Sequence, residues 1–155
     1  MEFETSGIKL GKGKLYEDTI YSIAIAFNLL NNEMTAYLKD FNLTPAKFNV
    51  LMVIQHQSGP DGISQVEISK KLIVTPSNMT RLLEKLETEK YIEKLSQEGD
   101  KRVKVIKITG KGSKLLDAVW PGYSKELQRL TSTLNESEQK VLGKTLIKWI
   151  ARLSG

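Results

Sequence analysis

Two helix-start signals stand close together in the middle of this chain, and they leave it few folds to choose from. Ser64-x-x-Glu67 is a capping box, in which the serine hydroxyl satisfies one orphan N–H of the first turn while the glutamate reaches back to another. Thr75-Pro76 is a second start, a cap residue before a proline whose missing N–H costs nothing at the first helical position. The first signal predicts a short helix through Leu72, Ile73-Val74 a tight turn, and the second signal a helix reaching about Lys90. Two short helices on such a turn form a helix-turn-helix. Met79, Leu82, Leu83 and Leu86 supply the inward face of the second helix. Its N-terminal and outward positions go to hydrogen-bond formers: Ser77, Asn78, Thr80, Arg81 and Lys85.

The flanks are helical too. Ile20, Ile23, Phe27, Leu30, Met34, Leu38 and Phe41 recur at intervals of three and four, which predicts one amphipathic helix from Leu15 to Phe41. A stripe that long demands another chain or a C-terminal helix to pack against. Thr44-Pro45 starts the next helix, with Phe48, Leu51, Val53 and Ile54 on its core face, and Ser58-Gly59-Pro60-Asp61-Gly62 ends it. After the helix-turn-helix, Tyr91–Ser96 and Arg102–Thr109 are rich in strand formers around a turn-forming stretch, which predicts a β-hairpin. Val103 and Val105 keep one phase and Ile106 and Ile108 the other, so a bulge or twist is expected between Val105 and Ile106. Leu115 to Leu134 reads as a helix that Pro121-Gly122 should kink or break near Trp120. Asn135 with Glu138 opens a last helix lined by Val141, Leu142, Leu146, Trp149, Ile150 and Leu153. Trp120, Trp149, Phe27 and Met34 suit core and dimer packing better than ligand contact. Residues 1–14, with Gly7, Gly11 and Gly13 among Lys9, Lys12 and Lys14, read as a flexible basic arm. The fold class is mainly α with a small β-hairpin wing, an α+β arrangement.

Composition narrows the function. The chain has no cysteine, which removes disulfides, thiolate metal sites and cysteine nucleophiles together. It has no apolar run long enough to span a membrane and no apolar segment suited to a secretory signal, so a cytoplasmic protein without membrane attachment is expected. His56 is the single histidine, with no Ser or Asp tied to it by spacing, and zinc would lack ligands. Gly11-Lys12-Gly13-Lys14 is no phosphate-binding loop. Glu84, Glu87 and Glu89 interleave with Lys85 and Lys90, as ordinary surface pairing along one helix would have them. No catalytic residue, metal or cofactor is expected. The chain does not read as an enzyme.

Charge points elsewhere. Of a net charge of +5, residues 63–112 carry +4, from 11 Lys and Arg against 7 Asp and Glu. Five bases and no acid fall between Lys101 and Lys111. Such a segment is either a solvated face or the footprint of a polyanion binder. Pro76-Ser77-Asn78-Met79-Thr80-Arg81 has the short polar side chains and the arginine that a recognition helix needs where it meets base edges. Ser64, Gln65 and the N-terminus of the preceding helix suit phosphate. Lys101, Arg102 and Lys104, at the hairpin tip, suit the neighbouring minor groove. Two rivals stay open: a winged-helix protein–protein adaptor without sequence-specific DNA contact, and an architectural binder of nucleic acid, which would normally be more basic.

These residues carry a resemblance. Leu43-Thr44-x-x-x-Phe48-x-Val50-Leu51, Ile63-Ser64-Gln65-Val66-Glu67-Ile68-Ser69-x-x-Leu72 and Asn78-Met79-Thr80-Arg81-Leu82-Leu83-x-x-Leu86-Glu87 are followed by Tyr91-Ile92-Glu93-Lys94, Asp100-x-Arg102 and Ile108-Thr109-x-x-Gly112. Together they resemble the MarR family of winged helix-turn-helix transcriptional regulators. The resemblance implies a winged helix-turn-helix DNA-binding lobe over 43–112, a helical dimerisation lobe over 15–42 and 113–155, and the arm, 1–14, outside both. It implies a homodimer on a pseudo-palindromic operator of double-stranded DNA. Ser77, Asn78, Thr80 and Arg81 would lie nearest the bases, Gln65 at phosphate and Arg102 in the minor groove, with Asp100 bracing the wing. The resemblance also leaves room for a small-molecule effector, which no residue here identifies. Lys90 stands where the family usually closes its recognition helix with glycine, so a different C-cap is expected. Pro121 interrupts a helix that is often continuous.

Overall fold

A computed structural model describes residues 3–5, 8–11, 14–72, 77–97 and 100–155; of 3–5, 8–9, 96–97 and 100–104 it describes the backbone alone. The chain divides into two compact units, Met1–Val119 and Trp120–Gly155. The first holds β1 (Phe3–Thr5), β2 (Ile8–Leu10), α1 (Leu15–Lys39), α2 (Pro45–Gln57), β3 (Ile63–Ser64), α3 (Gln65–Lys71), α4 (Met79–Thr88), β4 (Ile92–Gln97), β5 (Asp100–Ile108) and the start of α5 (Gly110–Thr131). The second holds the rest of α5 and α6 (Glu136–Leu153). Helices dominate, and β3, β5 and β4 make one small antiparallel sheet with β5 in the middle.

Local chemistry sets the helix starts. The Thr44 hydroxyl accepts from the Lys47 N–H at 3.3 Å, with Pro45 in the first turn of α2. At α3 the Ser64 hydroxyl accepts from the Glu67 N–H at 3.2 Å, and the Glu67 carboxylate accepts from the Ser64 N–H at 3.0 Å. Asn135 and Glu138 repeat that box at α6. The core gathers beneath the helix-turn-helix, where Phe48, Val50, Leu51, Ile54, Ile63, Ile68, Leu83, Leu86, Ile92 and Ile106 are buried. The Tyr37 hydroxyl donates to the Val119 carbonyl at 2.6 Å and so ties α1 to the start of α5.

Five features differ from the sequence expectation. Helix α4 begins at Met79, since Ser77 and Asn78 form a turn and Asn78 has non-helical backbone angles (φ −117°, ψ 39°). The expected Thr75-Pro76 start lies outside the described residues. The ladder irregularity falls between Ser96 and Gln97 rather than between Val105 and Ile106. Val105 and Ile106 are both buried in unbroken register, because both faces of this central strand are covered there, as an apolar run without alternation requires. Of the kink or break expected near Trp120, the break does not occur, since Pro121 sits inside α5. It deletes the bond to the Asp117 carbonyl, but Asp117 and Pro121 both lie on the exposed side of the helix, where water can replace the partner. Segment 1–14, expected as a flexible arm, contains the β1–β2 ladder, and Gly11 at φ 87° turns the chain toward α1.

The fifth difference closes α4. Lys90 takes the left-handed conformation at φ 62°, its N–H reaches the Glu87 carbonyl at 2.8 Å, and the Tyr91 N–H reaches the Leu86 carbonyl at 2.9 Å. This is the Schellman geometry that glycine usually supplies. A lysine adopts it with strain. Lys90→Gly should therefore stabilise the fold by about 0.5–1 kcal/mol. Gly112 is the opposite case, since a Cβ there would clash with the Tyr91 carbonyl oxygen. Gly112→Ala should destabilise by about 1–3 kcal/mol. Urea unfolding at fixed protein concentration checks both signs.

Candidate nucleic-acid interface

The site is built on a helix with two unlike faces. Met79, Leu83 and Leu86 are buried, whereas Ser77, Asn78, Thr80, Arg81 and Lys85 are all exposed. Within α4, Arg81 and Lys85 stand four apart, the spacing that places residues on one side of a helix, and Asn78 precedes the helix. Neither Arg81 nor Lys85 makes an ion pair with another described residue. Gln65, the first residue of α3, is brought to this face: its side-chain amide donates to the Thr80 hydroxyl at 3.0 Å. That bond ties the starts of the two helices together.

Ser64 is engaged elsewhere. Its hydroxyl donates to the Glu67 carboxylate at 2.8 Å. The Glu67 carboxyl titrates below the usual carboxylate range, first because the Ser64 N–H donates to it and then because the Ser64 hydroxyl does, with Lys71 and Lys70 adding to the effect against a desolvation that opposes it.

The hairpin is rooted in the helix-turn-helix at both ends. Strand β4 leaves α4 through Lys90 and Tyr91, and β5 pairs with β3, Ile63 opposite Ile106 and Ser64 opposite Val105, immediately before α3 begins. Asp100, Lys101, Arg102 and Lys104 belong to β5 by backbone. Their side chains lie outside the described residues, and with them the expected minor-groove and wing-bracing roles.

Sequence reasoning missed a polar cluster at the far end of α4. Lys47, only 5% exposed, extends from α2 and donates to both carboxylate oxygens of Glu89 at 2.6 Å. Lys111, in the first turn of α5, donates to the Glu89 carbonyl at 2.9 Å and lies 4.6 Å from the Tyr91 ring centre. The Thr109 hydroxyl donates to the Lys90 carbonyl at 2.7 Å and accepts from the Gly112 N–H at 3.1 Å. Surface pairing within one helix is thus the wrong account of Glu87 and Glu89, because Glu89 pairs with Lys47 and Glu87 with Lys94, at 2.8 Å, both on other elements. One signal was available: Lys47 stands three, four and seven residues before Val50, Leu51 and Ile54, on a core face where a lysine must find a partner. His56 is exposed near the end of α2, and no group of three His, Cys, Asp or Glu among the described residues is placed to hold a metal.

The sequence pattern that defines the MarR family matches residues 41–103, which hold α2, the helix-turn-helix and part of the hairpin. An HTH-type transcriptional regulator of Bacillus cereus is 34% identical over 122 residues, spanning 78% of this chain and 77% of the relative. The chain belongs to the MarR family. A crystal structure of a MarR-like transcription regulator from Bacillus cereus shares the fold at a TM-score of 0.84, with 20% identity over 91% of this chain and 99% of that one. A mutant MarR from E. coli, crystallised with operator DNA, gives a TM-score of 0.75 at 26% identity, covering 88% of this chain and 98% of its own. MarR-type transcription regulation is therefore the activity of the family to which this winged helix belongs.

Because the folded Glu67 carboxyl titrates below its unfolded value, its contribution to stability is full above the unfolded pKa and is lost as pH falls through the folded one. Glu67→Ala should lower the thermal midpoint at neutral pH. The gap from wild type should close on acidification below the carboxylate range. Calorimetry across pH checks this, and a gap that widens in acid would contradict it.

Proposed function

We propose that the chain acts as a homodimeric, sequence-specific DNA-binding regulator of a pseudo-palindromic operator. The observation that carries this reading is the exposed polar face of α4, whose opposite face is locked into the core. In this reading Ser77, Asn78, Thr80 and Arg81 meet base edges, while Gln65 and Lys85 serve the phosphates. Lys101, Arg102 and Lys104 of the hairpin work in the adjacent minor groove, with Asp100 bracing the loop. Segment 43–112 is the DNA-binding lobe, and 15–42 with 113–155 the dimerisation lobe.

Two apolar helix faces support the dimer. On α1 the side chains of Ile20, Phe27 and Leu30 are roughly half exposed in the single chain, and no residue of α6 is buried, Val141, Ile147 and Leu153 being exposed. Apolar surface on this scale calls for a partner. A two-fold dimer would present two α4 helices to two half-sites, and operator symmetry would follow from protein symmetry. A small molecule that changed the separation of those helices would switch such a dimer. Among the described residues no helix is long and apolar enough to cross a membrane, and the cytoplasm is the proposed place of work.

Arg81→Ala tests base readout. It should cost about 1–3 kcal/mol on a selected operator and much less on random DNA, by fluorescence anisotropy. Equal losses on both duplexes would make Arg81 a phosphate contact. Arg102→Ala should weaken binding and flatten the preference for A·T-rich flanks, and Arg102→Lys should restore only part, because an ammonium gives up its water less readily than a guanidinium. Unchanged affinity and flank preference in Arg102→Ala would favour an adaptor over a DNA-binding wing.

A further inference from the structure

We infer that Lys47, Glu89 and Lys111 form a clamp that sets the direction of the recognition helix, so that these residues govern operator affinity without touching DNA. The inference rests on the DNA-binding reading above and adds positioning residues to it.

The geometry is a closed triangle of helices. Lys47 links α2 to the end of α4 through both Glu89 oxygens. Lys111 links α5 to the same residue through its backbone carbonyl. The Ser113 hydroxyl, donating to the Gln55 side-chain carbonyl at 2.8 Å, links α5 back to α2. Three elements tied pairwise leave the end of α4 little freedom to turn. The neighbouring contacts tighten it further. Lys90 is held in a strained left-handed conformation, Thr109 takes its carbonyl, and Gly112 is pressed against the Tyr91 carbonyl.

The choice of chemistry argues for direction rather than adhesion. Lys47 is the one buried charged side chain among the described residues. An ammonium gives up much hydration to sit there, and an apolar side chain of similar volume would hold two helices together at least as well. Apolar contacts, however, let helices slide and rotate, whereas an ammonium held between two carboxylate oxygens fixes a length and an angle. Helix α4 has 10 residues, so its DNA-facing start lies about 15 Å from the clamp. A tilt of roughly ten degrees about the clamped end would move Asn78 and Arg81 by about 2–3 Å, which is enough to break a hydrogen bond to a base.

The test uses the full-length protein and an operator selected with the wild type. The double variant Lys47→Met with Glu89→Leu removes both charges, so it should keep the wild-type thermal midpoint to within a few degrees. Its affinity for the operator should nevertheless fall about tenfold, while its affinity for a random duplex stays within about twofold. A double variant that is as stable as wild type and binds the operator equally well would overturn the clamp. Lys111→Met provides a second reading that does not depend on the core, because Lys111 is exposed and methionine leaves an unbranched apolar chain of similar length beside the Tyr91 ring. It should lose about threefold on the operator and nothing on random DNA. Unchanged operator binding, or equal loss on both duplexes, would overturn the clamp through that arm. A wild type that selects no operator at all is a separate failure, that of the DNA-binding reading itself.

Discussion

Burial of Met79, Leu83 and Leu86 decides which way helix α4 faces, and the rest of the site follows from it. Each of those side chains is worth roughly 1.5–3 kcal/mol when taken out of water. The opposite rotation would place Arg81 and Lys85 in a core that offers them no counter-charge, at a cost far greater than that gain. The polar face is therefore turned outward by the same contacts that stabilise the fold. Function at the surface is a by-product of packing beneath it.

What packing leaves loose, polar contacts fix. The Gln65–Thr80 bond holds the start of α4 against α3, and the Glu89 cluster holds its end against α2 and α5. Pairing of β3 with β5 roots the hairpin at the base of α3, so the wing and the recognition helix share one platform. The dimer reading rests on what each helix leaves unburied: Ile20, Phe27 and Leu30 of α1 and Val141, Ile147 and Leu153 of α6 stay exposed, whereas the winged helix fills its core from within.

The sequence disclosed what is decided over four residues or fewer. The Thr44-Pro45 start and the Ser64–Glu67 and Asn135–Glu138 boxes are set by neighbours along the chain, and they appear where the spacing put them. The polar face of α4 was legible for the same reason, from periodicity alone. Features that depend on distant partners were not. The Val105–Ile106 pair looked like a phase slip, because nothing local says that a strand is covered on both faces. Whether Pro121 would kink the helix or break it was not legible, because nothing local says that Asp117 lies on the exposed side. Lys90 stands in a glycine-like conformation that packing imposes, and Lys47 with Glu89 lie far apart in sequence and meet only in the folded chain.

The central claim is that an outward polar face on α4, presented twice by a symmetric dimer, reads DNA sequence. Selection of bound duplexes from a random pool, with affinities measured at two salt concentrations, tests it most directly. The account predicts a two-fold symmetric motif with half-sites about one helical turn apart, roughly 10 base pairs, and a preference for that motif that persists when salt weakens binding to all DNA. Enrichment without any motif, or no binding at either salt concentration, would contradict it.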